Sequence, residues 1–95
     1  MKEIWLNGAK MTDRESTHAY LKRKLSLPDY YGNNLDALWD CLSTDFSPKK
    51  IIIFNTEKLR ENLGSYGELI INLLREIARD NEFIKLMVYL PFSKL

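Results

Sequence analysis

The chain has 95 residues, of which 45% are apolar and 28% charged, with Lys+Arg 14 against Asp+Glu 13 and a formal net charge of +1. That length suits a single domain over residues 1–95, the composition is that of a globular chain, and the near-balance of charge excludes a whole-molecule case for nucleic-acid or membrane binding. One cysteine, Cys41, excludes an internal disulfide and one histidine, His18, excludes a multi-histidine metal site, so no metal or cofactor is expected and the expected compartment is a reducing cytoplasm.

No apolar run approaches the roughly 20 residues of a membrane span, and the opening from Met1 to Gly8 lacks the apolar stretch of a signal peptide. Glu3-Ile4-Trp5-Leu6 is a short apolar strand closed by the turn dipeptide Asn7-Gly8. Thr12 and Glu15 have capping-box spacing and open a helix to about Leu25. Pro28 and Gly32 make the next stretch a loop. Asn33 or Asn34 then caps a second helix, Leu35 to Ser43. Ser47-Pro48 breaks the chain again. Lys50-Ile51-Ile52-Ile53-Phe54 is an unalternated β-branched run, the pattern of a strand buried on both faces in a parallel sheet. Asn55-Thr56 caps a short third helix that ends at Gly64. Ser65 and Glu68 form a second capping box, opening a fourth helix to about Asp80 with Leu69, Ile70, Leu73, Leu74 and Ile77 at helical spacing. A last strand from Phe83 to Leu90 stops at Pro91. The order is βααβααβ, an α/β fold with three parallel strands, four helices and right-handed crossovers.

Charge and aromatics are unevenly spread. Residues 29 to 45 carry Asp29, Asp36, Asp40 and Asp45, together with Tyr30, Tyr31 and Trp39, and contain no Lys or Arg. On a helical wheel Leu35, Leu38 and Leu42 share the core-facing arc. Asp36, Asp40 and Ser43 share another, and Trp39 falls between them. The i,i+4 carboxylates repel each other by a few tenths of a kcal/mol, of which Asp36 recovers part at the helix N-terminus. On the fourth helix Glu76 and Asp80 repeat that spacing, flanked by Arg75 and Arg79. Read alone, both are solvated charged faces with local pairs such as Arg75 with Asp80. Facing the same way, they form an anionic patch with an aromatic rim, suited to a cationic partner.

Other candidates read as structural. His18, spaced at i+3 and i+7 from Leu21 and Leu25, leans on the core rim. Cys41 lies near Leu38 on the wheel and reads as a buried, inert thiol. Lys22-Arg23-Lys24 reads as a solvated face, and no phosphate loop or nucleophile elbow is present.

The segment Leu27-Pro28-Asp29-Tyr30-Tyr31-Gly32-Asn33-Asn34-Leu35-Asp36-Ala37-Leu38-Trp39-Asp40-Cys41-Leu42 resembles the signature segment of the barstar family, intracellular inhibitors of barnase-like ribonucleases. The opening strand, the His18 helix and Arg75-Glu76 follow the same order more loosely. The resemblance implies a barstar-like three-stranded parallel sheet packed with helices. It also implies inhibition by occlusion, in which loop and second helix enter the nuclease groove and carboxylates take the place of RNA phosphate. By matching motif, Tyr30, Tyr31, Asn34, Asp36, Trp39 and Asp40 occupy partner-contact positions, with Asp40 central. Ser43 stands where a Thr is expected, and Glu76 and the more peripheral Asp80 add contacts from the fourth helix. The implied partner is a small, basic-grooved extracellular or toxin ribonuclease, met by a chain that is monomeric when free and binds neither nucleic acid nor membrane. The implied role is inhibitor or immunity protein, without catalytic residues. Two alternatives stand beside it: a generic interaction module of the same fold, and a small hydrolase using Asp36 and Asp40 as acid and base.

Overall fold

The computed structural model describes residues 1–90. Three strands, β1 (Lys2–Asn7), β2 (Lys49–Phe54) and β3 (Ile84–Val88), form one sheet in the order β1-β2-β3 with both pairings parallel. Four helices connect them: α1 (Arg14–Leu25), α2 (Leu35–Ser43), α3 (Thr56–Leu63) and α4 (Ser65–Asp80), with a 3-10 turn at Gly8–Lys10. The expected βααβααβ order and α/β class are what is found. The expected stop at Pro91 lies outside the described residues.

Register explains burial. Ile4, Ile51 and Leu86 lie side by side across the sheet, as do Leu6, Ile53 and Val88, and these rows face the helices. They join Leu21 of α1, Leu38 and Leu42 of α2, Leu59 of α3 and Ile70, Ile71, Leu74 and Ile77 of α4 in one core. The opposite face carries the rows Glu3, Lys50, Lys85 and Trp5, Ile52, Met87. Ile52 is buried outside that core, between Trp5 and Met87 on the neighbouring strands. The unalternated Ile51-Ile52-Ile53 run therefore has two different causes of burial.

Several local expectations move. Asp13, not Thr12, caps α1: its Oδ1 accepts from the Ser16 amide at 2.8 Å, and Ser16 takes the place expected for Glu15 in the box. Thr12 instead bonds the Ser16 hydroxyl at 3.0 Å. At the start of α3, Asn55 occupies the cap position without capping. Its Nδ2 donates to Asn7 Oδ1 at 2.9 Å, tying the C-terminal ends of β1 and β2 together. No Ser65–Glu68 box forms, because Gly64 is the residue between α3 and α4, and Glu68 accepts from Arg60 Nε at 3.0 Å. The buried stripe of α4 runs through Gly67, Ile70, Ile71, Leu74 and Ile77, leaving Leu73 half-buried and Leu69 51% exposed. Ile71 displaces Leu69 because it continues the i, i+4 row from Gly67.

Gly8 makes the tightest approach in the sheet layer: a Cβ there would lie 2.3 Å from the Asn55 carbonyl oxygen, which is backbone and cannot swing away. Gly8→Ala is expected to destabilise the fold by about 1–3 kcal/mol, read as a lowered urea midpoint at unchanged slope. An unchanged midpoint would show that the junction of β1 with α3 yields freely.

An acidic surface on the second helix

α2 is placed from its first residue. Asn34 Oδ1 accepts from the Ala37 amide at 2.8 Å while its Nδ2 donates to the Gly32 carbonyl at 3.2 Å, so one side chain both caps the helix and shapes the loop. Asn33, just before it, takes a left-handed φ of 59° that an asparagine tolerates. Leu38 and Leu42 are fully buried, with Leu35 and Trp39 packed at the margin. That anchoring turns Asp36 and Asp40 to solvent, as the wheel predicts. At the far end, Thr44 Oγ1 donates to the Asp40 carbonyl oxygen at 2.8 Å and Ser43 Oγ donates to it at 3.4 Å. The helix is thus held without using either carboxylate.

The loop before α2 departs from expectation. Tyr30 projects into solvent, 87% exposed, but Tyr31, expected on the contact surface, is 5% exposed. Its hydroxyl lies 2.6 Å from His18 Nδ1, and the other ring nitrogen, Nε2, lies 2.7 Å from the Tyr66 hydroxyl. His18 is therefore not a residue of the core rim: it is 1% exposed, with both ring nitrogens bonded. A neutral imidazole has one donor and one acceptor nitrogen, so one tyrosine donates to the ring and the other accepts from it. Burial holds the His18 pKa below its ordinary 6.5 and pushes both phenols up. The Arg14 guanidinium covers the outer side of this bridge, 4.1 Å from the Tyr66 ring centre.

A second tie closes the other end. Asn81, which follows α4, donates from Nδ2 to the carbonyls of Leu42 and Asp45, both at 2.9 Å. Tyr66 near the start of α4 and Asn81 after its end thus hold it alongside α2, running the same way. Ser43 and Asp80 consequently line one cleft, with Phe46, Asn81, Glu82 and Phe83. The two helices that carry the expected contacts do meet. Sequence reasoning did not place Phe46, 67% exposed, or Glu82 on this rim. Both sit beyond a helix end, where periodicity gives no direction.

The carboxylates differ in what holds them. Burial alone would raise the Asp45 pKa, but bonds from the Lys49 ammonium and from the Ser47 hydroxyl and amide outweigh it and hold the group low. Asp80 is held low mainly by Arg79, whose Nε donates to it at 3.0 Å; the Arg75 pairing expected from spacing is not the one formed. Neither Asp36 nor Asp40 belongs to an ion pair among the described residues. Cys41 is half-buried rather than buried, and burial first, then the nearby Asp40 and Asp45 charges, push its thiol up, away from nucleophilic thiolate.

The chain matches the family described as Barstar (barnase inhibitor) over residues 1–91. It is 41% identical over 82 residues to "Putative ribonuclease inhibitor YrdF" of Bacillus subtilis (strain 168), an alignment covering 84% of this chain and 89% of that protein.

Two outcomes follow for the His18 bridge. Tyr31→Phe leaves a buried ring nitrogen without its partner and is expected to cost about 1–3 kcal/mol in urea unfolding. Because folding depresses the His18 pKa, the unfolded chain binds more protons as pH drops below 6.5. The His18 contribution is full above that value and drains away as pH falls from it toward the folded pKa. The parent should lose stability between pH 7.5 and pH 5.5, roughly the window in which an ordinary histidine titrates. A His18→Gln variant, less stable at the outset, should be nearly flat across it.

Proposed function

The chain belongs to the barstar family, and on that basis we propose that it is a proteinaceous inhibitor of a ribonuclease, acting without catalysis by seating the acidic face of α2 in the enzyme's active-site groove. The observation that carries this reading is the contrast among carboxylates. Asp45 and Asp80 are each held by a cation of the chain, whereas Asp36 and Asp40 stand exposed on α2 in no ion pair among the described residues, and Tyr30 projects from the loop before it. A groove that binds phosphodiester presents Arg, Lys or His, and a carboxylate placed there forms short charge-assisted hydrogen bonds. Complementary fields also speed encounter. At a net charge of +1 the attraction comes from the local patch rather than from the whole molecule, so it acts at short range.

Asp40 sits between Asp36, one turn before it, and Ser43, one turn after it at the cleft shared with Asp80. In this reading Asp40 meets the phosphate-binding cations, Tyr30 and Trp39 cover the groove's apolar wall, and Glu76 and Asp80 meet its rim. Asn34 shapes the loop, and Tyr31 supports it from inside. A hydrolase built on Asp36 and Asp40 finds less support. Both stand in solvent, whereas an acid–base pair needs one carboxyl set in an apolar pocket. A target of the barnase type and a role in protecting a cell from a self-made or delivered nuclease belong to the same proposal.

The deciding measurement is titration of barnase-like and guanyl-specific ribonucleases with the parent chain and with Asp40→Ala. Removing the carboxylate opens no cavity and relieves repulsion with Asp36, so unfolding should stay level or shift upward by a few tenths of a kcal/mol. Inhibition should weaken by about 2–5 kcal/mol, mainly through faster dissociation. That is the general range for truncating one partner of a buried charge pair, to which barstar complexes themselves contribute. Trp39→Ala should weaken both binding and stability. Inhibition by Asp40→Ala within threefold of the parent would remove Asp40 as the anchor.

A further inference from the structure

We infer that the cleft between the C-terminal ends of α2 and α4 is a docking pocket for one arginine side chain of the ribonuclease, selected by Phe46 and Glu82. This rests on the reading of the chain as a ribonuclease inhibitor and adds a feature that its target must carry. The cleft has a volume of about 280 Å³ and is lined by Ser43, Phe46, Asp80, Asn81, Glu82 and Phe83. That is below the roughly 300–1,000 Å³ of small-molecule sites, so it suits a single long side chain better than a free ligand. Its wall is aromatic. Phe46 and Phe83 meet edge to face with ring centres 5.8 Å apart. Phe83 is half-buried, which fixes the pair to the fold, whereas Phe46 is 67% exposed and keeps ring surface open to a partner.

An exposed phenylalanine alone selects nothing; the charge around it does. Asp80 and Glu82 are the charged residues of the lining, and no lysine or arginine of the described residues joins them there. Arg79 is turned to Asp80, where its Nε and Nη2 hold the two carboxylate oxygens at 3.0 and 3.3 Å. Glu82 is exposed and joins no ion pair among the described residues. The amide of Asn81 is committed to the carbonyls of Leu42 and Asp45. Because α2 and α4 run the same way, the negative ends of both helix dipoles lie at this cleft, and α2 has no basic residue in its last turn. Every charge on the cleft therefore favours a cation brought by the partner.

Arginine fits this combination better than lysine. Its planar guanidinium stacks on a ring face while the N–H groups at its edge reach a carboxylate, and it gives up water more readily than an ammonium. Position supplies the partner. Ser43 belongs both to the cleft and to the arc of Asp36 and Asp40, and it lies about 4.5 Å beyond Asp40 along the helix axis. A nuclease whose phosphate-binding cations meet Asp40 thus brings the rim of its groove over the cleft. The arginine comes from that rim, about one helical turn from those cations.

The test uses the ribonuclease that the parent chain inhibits most tightly, with urea unfolding alongside. Phe46→Leu keeps an apolar side chain but removes the ring face, and should weaken inhibition about tenfold. Glu82→Lys should weaken it about tenfold or more by setting like charges together. Both side chains are exposed, so the unfolding midpoints should hold. Alanine is then placed at each arginine of the enzyme in turn, and binding is read by calorimetry so that inactive enzymes count too. One of these changes should weaken binding of the parent about tenfold yet leave binding of the Phe46→Leu, Glu82→Lys double variant unchanged, the non-additivity of groups in contact. Inhibition by Phe46→Leu equal to that of the parent would reduce the cleft to an apolar contact and overturn the assignment. Unchanged inhibition by Glu82→Lys, or an enzyme in which no arginine shows that coupling, would also overturn it. In those cases a loss of inhibition in Asp40→Ala leaves the inhibitor reading standing, whereas a parent that inhibits no ribonuclease overturns both.

Discussion

The buried imidazole of His18 is the constraint on which the proposed contact surface depends. It comes from α1, yet its two nitrogens hold a tyrosine of the loop before α2 and a tyrosine near the start of α4. Those two segments are far apart in sequence and have no strand pairing to align them. A single ring with one bond on each side sets their separation to within hydrogen-bond tolerance. Burial favours the neutral state of the ring, because it penalises the charged form. Asn81 performs the corresponding task at the opposite end through two backbone carbonyls. Between these ties, and with Leu38 and Leu42 buried, α2 has little freedom to rotate, so the direction of Asp36 and Asp40 is decided by groups that lie mostly inside the fold.

A chain with nearly equal numbers of acidic and basic residues can still present a strongly acidic face if its cations are used elsewhere. Lys49 is buried against Asp45 and Ser47, Arg79 holds Asp80, Arg60 holds Glu68, and Arg14 lies over the ring of Tyr66. Arg23 lies 5.4 Å from the centre of the Tyr20 ring on α1. Lys50 and Lys85 belong to the outer face of the sheet. What remains on α2 is two carboxylates that join no ion pair among the described residues. The net charge of the molecule is a poor guide to the field a partner meets, because that field is set by which pairs are already closed.

Elements with a local cause were legible from sequence. The bounds of α2 follow from Asn34 and the leucine spacing, and the central strand follows from the isoleucine run. Side chains whose orientation is settled by a distant partner were not. Tyr31 and Tyr30 are equivalent as neighbours in a loop, and only the position of His18, thirteen residues earlier, turns one inward. His18 itself looked marginal because helical spacing cannot show that two phenols wait for it. The displaced caps have a similar origin. Asn55 can cap a helix, but its amide is taken by Asn7 across the sheet, a competition no local window contains. The resemblance carried the family; the packing turns Tyr31, one of the contact positions it implied, inward.

Every strand pairing in this sheet joins distant parts of the chain: Ile4 lies beside Ile51, and Ile51 beside Leu86. No hairpin is available to nucleate the sheet, so both pairings must wait for long loops to close. The helices form on local signals and can precede it. During refolding α2 can therefore be helical before it faces anywhere in particular. On the proposed reading, a nuclease sampling that chain would meet Asp36 and Asp40 with no common direction. Inhibitory activity should accordingly return with the slowest, sheet-forming phase rather than with helical content.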